Sequence, residues 1–240
     1  MSQQLLSPAD IDKLVGACRG LPPGTDWRIH DYVLNLMLTV LDYQNLRPTV
    51  EHARQHYEQH HWDEIRTHAD LKRTLDKYSN TKEGNIAAAQ YLWGMNHWTR
   101  LQQLRGLVDY FKREGVLSQQ DLEAWAQKDA LKDPSGDYLK DKGFSGVEGL
   151  KGLGYAIYQW LRMRQGADAV KPDSQIHKFV GQILGRPVDN VPDQEITHAL
   201  VEVAHRLGLK GYELDFSIWD YMQASSNSAG NASPLAHPSK

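Results

Sequence analysis

One cysteine stands among 240 residues, so Cys18 has no partner for an internal disulfide, and the chain fits a reducing, cytoplasmic setting. No apolar run approaches the length of a membrane span, so no membrane partner is expected. The first residues, MSQQLLSPADID, hold no basic stretch followed by an apolar one, and no signal peptide is expected. Sustained strand alternation is missing everywhere, which leaves an all-α class. No His-Glu-x-x-His and no internal repeat is apparent. His52, His56 and His60 recur at four-residue spacing with His61 and His68 close by, but no carboxylate or cysteine falls in register with them. They read as a solvated polar face, and no side-chain metal site is expected.

Charge of either sign is modest. A net charge of −3 argues against nucleic acid at first sight, but the distribution argues back. Between residues 140 and 190, Lys140, Lys142, Lys151, Arg162, Arg164, Lys171, Lys178 and Arg186 face Asp141, Glu148, Asp168, Asp173 and Asp189, a local balance of 8 − 5 = +3 that leaves −6 for the rest. A local basic patch is what contact with a phosphate backbone requires, although a solvated face would look the same.

What is present is helical periodicity. Segment 26–44 places Ile29, Val33, Leu36, Met37, Val40 and Leu41 on one broad face, with Thr25 or Asp26 as cap after the Leu21-Pro22-Pro23-Gly24 break. Further helices are predicted from Pro48 to about 60, over 62–78, 86–95 and 98–114, from Ser118, and over 154–165, 174–184, 193–208 and 212–223, with a loop at Asp133–Asp137. The small, polar residues 224–240 read as a disordered tail.

The densest information lies in 149–180. Gly152, Leu153 and Gly154 form a hinge that opens a helical pattern, and after a loop Pro172 places Asp173 at the mouth of the next helix. Glycines allow a tight turn with bare amides, and bare amides at a helix N-terminus bind phosphate. Asp173 reads either as a carboxylate placed for chemistry or as an ordinary helix cap. The glycine pair reads either as a phosphate clamp or as a device for close helix packing.

The hinge Leu150-Lys151-Gly152-Leu153-Gly154-Tyr155-Ala156, followed by Val170-Lys171-Pro172-Asp173-Ser174-Gln175-Ile176, resembles the helix-hairpin-helix (HhH-GPD) DNA glycosylase superfamily over roughly 145–181. The resemblance implies a two-lobe helical fold with a cleft between lobes. It would place 1–30 and 165–223 in one lobe and 31–164, with the helix-hairpin-helix at about 145–165, in the other. It implies that Leu150, Lys151, Gly152, Leu153, Gly154 and Tyr155 hold DNA. Asp173 would steady the sugar cation and orient a water as the base departs. Bifunctional members carry a nucleophilic lysine where this chain has Ala156, so the resemblance is to the monofunctional branch, which leaves an abasic site. Lys151 replaces the usual proline. With one cysteine the family's four-cysteine iron–sulfur cluster is excluded. The implied cofactor set is empty apart from a monovalent cation on the hinge carbonyls.

Val40-Leu41-Asp42-Tyr43-Gln44-Asn45 looks like the family's wedge segment, in which Gln44 or Tyr43 would fill the gap left by a flipped base; Gln44 reads equally as a polar helix end. Trp27, His30, Tyr155, Trp219 and Tyr221 are the candidates for stacking on that base, with core packing as the competing role for each. The expected activity is excision of a modified base from double-stranded DNA by a monomer, in base excision repair or in defence against modified phage DNA. Two rivals stay open: a helix-hairpin-helix protein that binds damaged or bent DNA without chemistry, and a helical scaffold for protein partners.

Overall fold

The computed structural model describes residues 5–42, 47–128 and 135–230. Among these residues the secondary structure is helical throughout, without a strand, so the chain is all-α. Among the described residues no helix is long and apolar enough to cross a membrane. The chain divides into two compact units, residues 1–27 with 170–240, and residues 28–169. The family resemblance places those divisions at 30/31 and 164/165. The difference has local causes: the Ile29 N–H donates to the Arg164 carbonyl at 3.3 Å, and Ala167 is buried in the core of the second unit.

The first unit holds α1 (Pro8–Cys18), α9 (Ser174–Leu184), α10 (Asp193–Arg206) and α11 (Gly211–Gly230). α1 starts with a reciprocal cap. The Asp10 amide donates to Ser7 Oγ at 3.2 Å and the Ser7 amide donates to Asp10 Oδ2 at 3.0 Å, with Pro8 at the first helical position. Arg186 Nη2 donates to the same Asp10 oxygen at 3.0 Å. Leu14, Phe179, Val180, Leu200, Val203, Leu214 and Ile218 build the core. Burial pushes the Cys18 thiol up to about 12, so it is a packing residue and not a reactive one. α11 continues to Gly230, beyond the point where composition starts the tail at Ala224; residues 231–240 lie outside the described residues.

The second unit holds α2 (Tyr32–Leu41), α3 (Arg47–His60), α4 (His68–Asp76), α5 (Lys82–Trp93), α6 (Trp98–Arg113), α7 (Gln119–Lys128) and α8 (Tyr155–Arg164). All ten residues of α2 are buried, and α3, α4, α6 and α8 pack around it. Its start is a correction to the sequence reading. The helix begins at Tyr32 with Asp31 as cap, Oδ1 accepting the Leu34 N–H at 2.8 Å, and not at residue 26. Thr25 is engaged elsewhere in its own unit: its N–H and Oγ1 donate to Asp220 Oδ2 of α11 at 2.7 and 2.8 Å.

Candidate functional site

Residues 144–153 form a run of turns that the sequence reading missed. Phe144-Ser145-Gly146, Val147-Glu148-Gly149 and Leu150-Lys151-Gly152 repeat one pattern, apolar then polar then glycine, and Leu153 closes it. Each apolar amide donates to the carbonyl of the apolar residue before it: Val147 to Phe144 at 3.2 Å, Leu150 to Val147 at 3.1 Å, Leu153 to Leu150 at 3.0 Å. Gly146, Gly149 and Gly152 have φ of +83°, +83° and +89°. A positive φ at the third position of a four-residue turn is the type II pattern, and only glycine takes it without strain. The segment is therefore a staircase of three linked turns. It takes in the hinge residues 150–153, and a glycine every third residue disfavours a helix there.

The staircase faces two ways. Phe144, Leu150 and Leu153 are buried in the core of this unit; Ser145, Glu148, Lys151 and the glycines are exposed or partly so. Its carbonyl side is held by α6. Gln103 Nε2 donates to the Lys151 carbonyl at 3.2 Å, Arg113 Nη2 donates to the Glu148 carbonyl at 3.3 Å, and Gly106 lies against Gly149 between them. Two carbonyls proposed for a cation, Leu150 and Lys151, thus already accept hydrogen bonds. The amides of Gly146, Gly149, Gly152 and Gly154 have no protein acceptor among the described residues. An open depression of about 520 Å³ lined by Ser145 to Gly154 lies over the run. Gly154, in extended backbone, caps α8 without a side-chain hydrogen bond. Tyr155 and Ala156 follow in its first turn, both half-buried.

The charge count of this region changes in three dimensions. Arg162 and Arg164 are buried and leave the eight cations counted in the sequence. Arg162 Nε donates to the Ala126 carbonyl at 3.0 Å and its Nη1 to Gln159 Oε1 at 2.9 Å. Arg164 donates to the Asn35 carbonyl at 2.9 Å and to Thr39 Oγ1, and pairs with Asp42 at 3.4 Å; burial brings the guanidinium down to about 10, against the pull of Asp42. Trp160 Nε1 donates to the same Asp42 oxygen at 2.6 Å. These arginines build the core of α8; Asp141 is buried as well, so six cations and four anions of the count stay unburied, 6 − 4 = +2. Tyr43 and Gln44, the wedge candidates, lie just past Asp42 and outside the described residues.

In the other unit, Asp173 caps α9. Its Oδ1 accepts the amides of Gln175 at 2.9 Å and Ile176 at 3.2 Å, which fixes its rotamer, and its Oδ2 stands 3.4 Å from Lys171 Nζ. The side chain is 24% exposed, so the carboxylate remains reachable from solvent. The turn before it is tethered twice, by Thr197 Oγ1 donating to the Val170 carbonyl at 3.2 Å and by the Lys171 N–H donating to Asp215 Oδ2 at 2.8 Å. Asp215 was not among the sequence candidates.

Of the aromatic candidates, two meet. Trp27 and Trp219 stand edge to face with ring centres 5.6 Å apart, both half-buried. Tyr221 leaves that pair: two residues further along α11 it turns away, meets Phe179 edge-on at 6.2 Å and is exposed. His30 belongs to the second unit, 3.5 Å from Glu123 and largely exposed. The histidines divide as well. His61 and His68 are not solvated but buried, facing the carbonyls of Tyr91 at 2.5 Å and Val108 at 3.0 Å. Among the described residues no group of three His, Cys, Asp or Glu is placed to hold a metal ion.

No curated protein matches the chain, and no solved structure matches it. One family, described as a domain of unknown function (DUF8548), matches residues 31–223. That span runs from the cap of α2 into α11 and takes in the staircase, Asp173 and Trp219, so the chain belongs to the DUF8548 family.

Proposed function

We propose that this protein is a monofunctional DNA glycosylase, built as a two-lobe helical enzyme, that excises a modified base from double-stranded DNA and leaves an abasic site. The observation that carries this reading is Asp173, a carboxylate locked in one rotamer by two helix amides while still open to solvent. In the reaction the bond between C1′ and the base nitrogen breaks and the base leaves with the electron pair. Positive charge grows on the sugar, which a fixed carboxylate stabilises, and Asp173 orients the water that attacks C1′ and receives its proton. Ala156 offers no amine to compete with that water. The bare glycine amides of 146–154 support a phosphate contact in the manner of a helix N-terminus, and Trp27 with Trp219 offers a stacking surface for an extruded base.

A second reading is binding to bent or damaged DNA without chemistry. It draws on the same residue, because Oδ1 of Asp173 is fully used as a cap and Oδ2 is paired with Lys171. One experiment separates the two. Duplexes bearing alkylated, oxidised, deaminated or phage-type modified bases are incubated with wild type and Asp173→Asn, and released bases are read by mass spectrometry. Asparagine caps a helix as well as aspartate does. Release by wild type and not by Asp173→Asn is expected. Equal release by both refutes the assigned mechanism, and salt-dependent binding with no release selects the second reading.

A further inference from the structure

The carboxyl of Asp215 lies under the turn that presents Asp173. It is 4% exposed, in a stretch of α11 where Leu214, Phe216 and Ile218 are also buried. An aliphatic side chain would fill that space without a desolvation cost, so a carboxyl there needs a reason. Its Oδ2 accepts the Lys171 N–H at 2.8 Å. The Lys171 carbonyl accepts the Asp173 N–H at 2.8 Å, and Lys171 Nζ stands 3.4 Å from Asp173 Oδ2. The chain of contacts therefore runs from Asp215 through both the backbone and the side chain of Lys171 to Asp173.

We propose that Asp215 is a positioning residue for Asp173, anchoring the Lys171–Pro172–Asp173 turn from below and keeping the Lys171 ammonium on the outer oxygen of Asp173. This deepens the glycosylase reading of Asp173 and rests on it. Burial, then the neighbouring Asp173 charge, pushes Asp215 up to about 8, against the pull of the Lys171 N–H and ammonium. At neutral pH it thus holds the turn as a protonated acid. Of the other ionisable groups on the packed elements, His177 of α9 pairs with Asp193, Glu195 of α10 accepts the Leu6 N–H, and Asp220 of α11 accepts from Thr25. When Asp215 ionises, its buried charge repels Asp173 and competes for the Lys171 ammonium, and the turn loses its setting.

The test compares wild type, Asp215→Asn and Asp215→Leu. Base release is followed from pH 5 to 9, alongside NMR titration of the aspartate carboxyl carbons in the full chain. In wild type, kcat falls above about pH 8 and the Asp173 carbon shows a second step there. Asp215→Asn keeps the acceptor for Lys171 and cannot ionise. It retains kcat at pH 7 within about two-fold and loses both the alkaline fall and the second step. Asp215→Leu keeps the core filled but offers no acceptor, and lowers kcat about ten-fold with KM for the duplex unchanged. An alkaline fall that persists in Asp215→Asn, or wild-type kcat in Asp215→Leu, overturns the assignment. If wild type releases no base, the glycosylase reading fails. The NMR step still decides the coupling: a second step lost in Asp215→Asn upholds it, and none in wild type overturns it.

Discussion

Gly106 of α6 stands so close to Gly149 that a Cβ on Gly106 would lie 1.8 Å from the Gly149 carbonyl oxygen. The contact sets the carbonyl side of the turn staircase against α6, while its glycine amides have no protein acceptor among the described residues. The proposed phosphate contact therefore depends on a residue that touches no phosphate.

Gly106→Ala is expected to push the staircase off α6. The cost is ~2 kcal/mol of stability from overpacking against backbone that cannot yield as a side chain would. Affinity for duplex DNA at low salt falls with it, read by urea denaturation and fluorescence anisotropy. Gly16 of α1 is the matching control. A Cβ there meets nothing within 4 Å, so Gly16→Ala stabilises the protein by ~0.5–1 kcal/mol and leaves DNA binding unchanged.

Lys151 is the exposed cation of the staircase, since Arg162 and Arg164 are in the core. Lys151→Ala weakens binding about equally across DNA sequences and lowers the slope of log K against log salt by about 1, the loss of one phosphate contact. An unchanged slope removes Lys151 from the interface.

Asp42 pairs with the buried Arg164, whose Nε has no acceptor among the described residues. Asp42→Ala leaves that guanidinium charge without its carboxylate and is expected to cost ~3 kcal/mol, whereas Arg164→Met, which removes charge and keeps volume, costs less. Chemical denaturation of both variants checks the order.

Asp215 also shapes stability against pH. In the unfolded chain it ionises near 3.8, in the folded protein near 8. Between those values the folded state holds a proton that the unfolded state has lost, so this residue's contribution falls steadily as pH rises from about 4 and levels off above about 8. Asp215→Asn is therefore expected to gain at least ~1 kcal/mol over wild type at pH 7 and to gain little at pH 4. A melting-temperature difference that is flat from pH 4 to 8 contradicts the assignment.

Much of the helical order was legible. The periods predicting helices over 98–114, 154–165, 174–184 and 193–208 correspond to α6, α8, α9 and α10 within a few residues, because each carries a strong apolar face and a clear start or stop. α1 went unread although Ser7-Pro8-Ala9-Asp10 spells a cap with proline at the first position. The start of α2 was misplaced because Thr25 and Asp26 are plausible caps by residue type, and only the bond from Thr25 to Asp220 shows that this segment runs along α11 instead. The staircase is legible as well: an apolar-polar-glycine triplet repeats from Phe144 to Gly152, with a period of three that is neither helical nor strand-like.

The sequence by itself determined the all-α class, the lack of an internal disulfide, the position of Asp173 at a helix start and the glycine-rich run before α8, because these follow from side-chain chemistry and short-range spacing. Tertiary structure alone decided which charges are spent in the core, that Trp27 meets Trp219 while Tyr221 turns away, and that Asp215 lies beneath the Asp173 turn. Those outcomes depend on burial and on contacts between residues far apart in the chain. A buried arginine and a surface one read alike in sequence, and only packing sets the dielectric and the partners that each one meets.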